Sequence, residues 1–108
     1  MDIEFLRDYT LQKSGVTEGF PFGEDVLVFK VNNKLFLLVP LNAQPLQFNA
    51  KCHPGEALEL REEYPDAVLP GYHMNKKYWN TIIINGTLTN KQLLQTIDNS
   101  YNLVAKLK

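Results

Sequence analysis

Residues 25 to 41 read DVLVFKV, NN, KLFLLVPL: two runs of β-branched, aromatic and aliphatic residues separated only by Asn32-Asn33. Runs of this composition and length are strands, and asparagine enters positive φ more readily than most residues, so the pair reads as a tight hairpin turn. A lone two-stranded hairpin is marginal in water and needs further strands or a covering layer. The chain is therefore expected to be built around an antiparallel sheet.

The rest of the sequence supplies those partners. LQFNAK, residues 46 to 51, alternates, with Leu46, Phe48 and Ala50 on one side and Gln47, Asn49 and Lys51 on the other, as in a half-buried strand with one wet face. YWNTIII reads as a central strand closed by Asn85-Gly86. Asp2 can cap a helix that places Ile3, Phe5, Leu6 and Tyr9 on one side, stopped by Ser14-Gly15. GVTEGFPFG, residues 15 to 23, reads as a connection, and Leu69-Pro70-Gly71 as a bend. Pro54 suits the first position of a short helix, EALELREEY, which Pro65 ends. Thr89 and Gln92 have the spacing of a capping box, followed by the stripe Leu93, Ile97, Tyr101 and Val104. This order predicts an α+β fold, a two-layer sandwich with the N- and C-terminal helices packed on one face of an antiparallel β-sheet. Residues 1–108 are expected to form a single domain, with the other sheet face partly exposed.

Composition limits what such a fold can do. A net charge of −1 and an isoelectric point near 6.1 remove any bulk attraction to nucleic acid, so a polyanion-binding surface has to be a local patch. The single cysteine, Cys52, rules out an internal disulfide and suits a reducing compartment. MDIEFLRDY is acidic where a secretory leader would be basic, and no apolar run approaches the roughly 20 residues that span a bilayer. A cytoplasmic location with no membrane partner is expected.

Several chemistries can be weighed residue by residue. Cys52-His53 suggests a thiolate nucleophile, but neighbouring side chains on a strand point to opposite faces, and no further residue completes a triad. An unreactive thiol at a strand end is the simpler account. Cys52, His53 and His73 have no metal-site spacing, and Glu59, Glu62 and Glu63 suit a solvated helix face, so neither a metal nor a cofactor is expected. GTLTNK, residues 86 to 91, lacks the spacing of a phosphate-binding loop. The densest chemistry lies in GYHMNKKYW, residues 71 to 79. There Trp79 and Tyr72 can serve as core anchors, while Lys76, Lys77 and His73 can meet an anion. Lys30, Lys34 and Lys51 add positive charge elsewhere, Lys34 beside the Asn32-Asn33 turn.

FPFGEDVLVFKVNNKLF at 20 to 36, KCHP at 51 to 54, LPGYHMNKKYWNTI at 69 to 82 and SYNLVAKL at 100 to 107 together resemble the MmcQ/YjbR family, over nearly the whole chain. The third stretch is the most specific. The resemblance implies a fold similar to the frataxin (CyaY) sandwich, a bacterial setting, and a DNA-binding label that rests on an analogy with paired hairpin wings. It also implies that Gly71, Tyr72, His73 and Trp79, with Ser100 and Tyr101, form a signature surface, the first hairpin tip being a wing. At His53 the family more often has Asp, so the cap of the following helix is weakened here. The acidic ridge of an iron-binding frataxin is not evident, since Asp2, Glu4 and Asp8 share their helix with Arg7 and Lys13.

The function expected on this basis is weak, largely non-specific DNA binding without catalysis, with double-stranded DNA as partner. Lys76, Lys77 and Asn75 would lie at one contact, Asn32, Asn33 and Lys34 at a second, and His73 would be a pH-sensitive one. The alternative is a non-enzymatic adaptor that binds a protein partner through the exposed sheet face, with Tyr78 prominent.

Overall fold

The computed structural model describes residues 1–106; Leu107, the last residue of SYNLVAKL, lies outside the described residues. Helix α1 (Ile3–Leu11) leads into strands β1 (Val16–Gly19), β2 (Val26–Val31), β3 (Lys34–Pro40) and β4 (Gln47–Lys51). Helix α2 (Pro54–Glu63), strands β5 (Val68–Pro70) and β6 (Trp79–Ile83), and helix α3 (Asn90–Ala105) complete the order. The strands form one six-stranded sheet in the order β1-β2-β3-β4-β6-β5, with every pairing antiparallel. This is the α+β architecture anticipated above, with the helices over one face.

The hairpin forms as its sequence predicts. Val31 pairs with Lys34, leaving Asn32 and Asn33 as a two-residue loop with φ of 53° and 63°. Paired positive φ values match the right-handed twist of the flanking strands. Further along, the ladder slips: Phe29 faces Leu37 but Lys30 faces Leu35, so Phe36 is an extra residue in β3. Consecutive residues of a regular strand point to opposite faces. Because of the bulge, Phe36 and Leu37 both enter the core under the helices, while Leu35 and Leu38 belong to a cluster on the opposite face. Ser100 of α3, fully buried, donates its hydroxyl to the Phe36 carbonyl at 2.5 Å and accepts from the Lys51 amide at 2.8 Å. One hydroxyl thus ties α3 to two strands.

Helix α3 starts on the predicted capping box, with Gln92 N–H donating to Thr89 Oγ1 at 3.1 Å and Thr89 N–H to Gln92 Oε1 at 2.8 Å. Its stripe buries Leu93 and Ile97 against Phe48, Ala50 and Ile82 of the central strands. Helix α1 is capped by Asp2 as expected, Phe5 N–H donating to its carboxylate at 2.9 Å. Helix α2 starts at Pro54 without a side-chain cap from His53, as the departure from Asp at that position implied.

Four expectations change. GVTEGFPFG contains the edge strand β1, where a polar, glycine-containing segment is held by its ladder to β2 rather than by apolar burial. The bend at Leu69-Pro70 is strand β5, and Pro70 is tolerated because an edge strand has one unpaired side. The wet face of β4 is drier than its alternation suggests: Asn49 is buried and paired with Thr81, and Val28, Leu38 and Trp79 form a small second cluster beside it. Phe5, placed on the buried side of α1, is 48% exposed, because the buried line of that helix runs through Leu6 and Thr10.

Helix α1 is fastened to β1 by Arg7, which donates to both oxygens of the Glu18 carboxylate at 2.7 and 2.5 Å. These hydrogen bonds, helped by the Arg7 charge, hold the Glu18 carboxyl below its ordinary pKa. A lowered folded-state pKa stabilises above the unfolded value and loses that contribution as pH falls through the folded one. Glu18→Gln should therefore lower Tm slightly near neutral pH and have no effect on it in acid below the Glu18 pKa, as followed by circular dichroism. Ser100→Ala leaves two backbone groups without their partner and should cost about 1–3 kcal/mol in urea unfolding.

Candidate nucleic-acid interface

The segment Gly71 to Trp79 is a double turn between the two antiparallel edge-side strands β5 and β6. Gly71 N–H donates to the Trp79 carbonyl at 2.8 Å, closing the neck of the loop. A Cβ on Gly71 would lie 2.7 Å from the Trp79 Cβ and 2.9 Å from its carbonyl oxygen, so only glycine fits there. The first turn is closed by Met74 N–H on the Gly71 carbonyl at 3.2 Å, with His73 at φ 61°. Met74 then packs onto the Val28, Leu38 and Trp79 cluster and anchors the loop to the sheet.

Asn75 organises the second turn. Its side chain accepts from Lys77 N–H at 3.0 Å, while its carbonyl accepts from Tyr78 and Trp79 N–H at 3.1 and 3.0 Å. Asn75, exposed, thus caps the turn through its side-chain oxygen. Lys76 and Lys77 are exposed on this turn, and the Lys77 amine lies 5.6 Å from the centre of the Tyr78 ring. Neither lysine is in an ion pair among the described residues.

Arg61, which the sequence gave no reason to single out, fixes the loop from beneath. Its guanidinium donates to Asn80 Oδ1 at 2.7 Å, to the Trp79 carbonyl at 3.2 Å and to the Lys76 carbonyl. Asn80 is buried and also donates to the Ala57 carbonyl at 3.4 Å, which links α2 to the same point. Nothing in the spacing of residues 61 and 80 signals this contact.

The antiparallel order brings the sequence candidates to one end of the sheet. The Asn32-Asn33 turn and Lys34 lie where β2 meets β3, Lys51 ends β4 opposite Trp79, and the Gly71 loop joins β5 to β6 there. Asn32 donates to the Ala105 carbonyl at 3.4 Å, so the hairpin tip meets the end of α3. A groove of about 380 Å³ is lined there by Lys34, Leu35, Lys51, Leu103, Val104 and Lys106. Lys106 is the addition that the structure makes to the cationic set.

The signature residues are divided. Gly71, Tyr72, His73 and Trp79 share the loop, but Ser100 is fully buried under the sheet, and Tyr101 stacks edge-on to Phe36 and donates to the Ser14 carbonyl at 2.6 Å. They support the fold rather than the surface. Cys52 is buried at the end of β4; burial, and then the Glu56 charge, push its thiol pKa up, which opposes thiolate formation. Cys52, His53 and His73 do not join a cluster able to hold a metal among the described residues. None of the described helices is long and apolar enough to cross a membrane.

A family model described as YjbR matches residues 11–103. The chain belongs to the YjbR family. Among its relatives, YbdF of Escherichia coli O157:H7 is 37% identical over 86 residues, covering 79% of this chain and 69% of that protein. YjbR of Escherichia coli K12 is 29% identical over 107 residues, covering 99% of this chain and 90% of that one. In three dimensions, the crystal structure of the Deinococcus radiodurans protein DR2400 matches with a TM-score of 0.92 at 34% identity, over 96% of this chain and 78% of that one. A Pseudomonas syringae crystal structure matches with a TM-score of 0.80 at 26% identity, over 96% of this chain and 99% of the other. These two structures agree with the six-stranded α+β fold described above.

Gly71→Ala forces a methyl group into the Trp79 backbone and should destabilise the protein by about 1–3 kcal/mol or more in urea unfolding.

Proposed function

We propose that this YjbR-family protein is a non-enzymatic, cytoplasmic DNA-binding protein that makes weak, largely non-specific contacts to phosphate. The observation that carries this reading is the gathering of Lys34, Lys51, Lys76, Lys77 and Lys106 at one end of the sheet, where Lys34 and Lys51 sit on paired strands and the Lys76 carbonyl is held by Arg61. Positive charge concentrated in this way attracts phosphate locally even though the chain carries a net charge of −1. Lysines on turns and strand ends suit positioning contacts to phosphate rather than sequence readout. The Asn32-Asn33 tip and Lys34 act as one contact, and His73, Lys76 and Lys77 as the other, with double-stranded DNA as a ligand.

A second reading, a non-enzymatic adaptor for a protein partner, is favoured by a different surface. Phe20, Phe22 and Leu41 are 51%, 66% and 36% exposed, and Phe20 and Leu41 line an apolar groove of about 600 Å³ with Ile3 and Leu27. Under that reading the face of the sheet contributes less than sequence suggests, since Trp79 is buried there.

Fluorescence anisotropy with a labelled mixed-sequence duplex at two salt concentrations tests the first reading. Lys76→Ala/Lys77→Ala should weaken binding and reduce the slope of log K against log salt by about two. An absence of duplex binding by the parent protein at low salt would refute double-stranded DNA as the ligand.

A further inference from the structure

We propose that Tyr72 is a stacking platform for an unpaired base, so that the Gly71 to Trp79 loop prefers single-stranded nucleic acid to duplex. This inference rests on the phosphate-binding reading of the same loop and specifies its substrate class.

Tyr72 is 68% exposed, although a tyrosine ring is among the larger apolar surfaces that a side chain can bury. The exposure is not that of a loose residue. Its N–H donates to Thr81 Oγ1 at 3.1 Å, and Thr81 in turn donates to the buried Asn49 at 2.5 Å, so the backbone behind the ring is tied to two central strands. On one side Gly71 is closed against Trp79; on the other, the His73 ring sits 4.0 Å from the Tyr72 ring, centre to centre, at 47°. The ring is presented by a fixed backbone, which lowers the ordering cost of binding. Lys76 and Lys77 follow within the same loop and supply the charge that a phosphate backbone requires.

Aromatic platforms interleaved with lysines favour single strands for a physical reason. In a duplex both faces of each base are covered by its neighbours, so a projecting ring gains a stacking contact only if base pairs are first separated. In a single strand the face is already available, and stacking tolerates any base because each has a π-face. Tyr78, 37% exposed with the Lys77 amine beside its ring, offers a second, smaller platform in the same loop.

The test compares fluorescein-labelled oligothymidylate and oligouridylate of about 12 nucleotides with a duplex of the same length, at one low salt concentration. The proteins are the parent, Tyr72→Ala, Tyr72→Phe and Lys76→Ala/Lys77→Ala, each checked for an unchanged Tm. The expected result is tighter binding of the single strands, a loss of about tenfold with Tyr72→Ala, retention with Tyr72→Phe, and little effect of either Tyr72 variant on the duplex. Equal or tighter duplex binding, lowered by the lysine pair but not by Tyr72→Ala, would overturn the stacking inference and leave the phosphate reading standing. No binding of any probe would overturn both.

Discussion

The hydroxyl of Ser100 holds the architecture together where its two layers meet. The extra residue at Phe36 shifts the phase of β3, so that two consecutive large side chains, Phe36 and Leu37, both fill the space beneath the helices. A bulge of this kind interrupts the ladder, and Ser100 supplies a partner for the Phe36 carbonyl while also accepting from Lys51 N–H. The same shift sends Leu35 and Leu38 to the far side, where with Val28 and Trp79 they make a second apolar cluster. A sheet that would otherwise have one dry face and one wet one is buried on both sides at its centre. That burial gives the Gly71 loop something rigid to stand on, through Trp79 and Met74.

The loop is rigid because several weak requirements coincide. A glycine is needed where the neck closes, an asparagine where a side chain must imitate a backbone turn, and an arginine from α2 that adds donors to the Lys76 and Trp79 carbonyls. His73 adopts a left-handed conformation that costs a non-glycine residue about 1 kcal/mol, a cost borne by the contacts around it. Charged and aromatic side chains then project from a frame held by Asn75, Arg61 and Thr81.

Much of the fold was legible in the sequence because local rules and tertiary context agree. Asn32-Asn33, the Thr89 and Gln92 capping box, Asp2 before α1 and Pro54 opening α2 all appear where their chemistry places them. What was not legible depends on partners far away in the chain. Strand β1 has little apolar content and exists through pairing with β2, and β5 is short, ends in proline and looks like a bend until β6 lies beside it. The same holds for the candidate site. Lys34, Lys76 and Lys77 could be marked as exposed charge, but their grouping with Lys51 and Lys106 follows from strand order, and the Arg61 clamp follows from where α2 lands.

The two outermost strands also bear on how copies of the chain treat one another. An exposed strand edge offers unpaired amides and carbonyls, a template on which another chain can polymerise. Here both margins are cut short: β5 has three residues and ends at Pro70, and β1 has four, with Glu18 among them engaged by Arg7 of the overlying helix. A stray strand meeting either margin would find a few hydrogen-bonding positions and then a proline ring or an occupied carboxylate. The sheet is thereby protected at its boundaries from fibre-like growth, even though its central strands are among the most β-prone segments of the sequence.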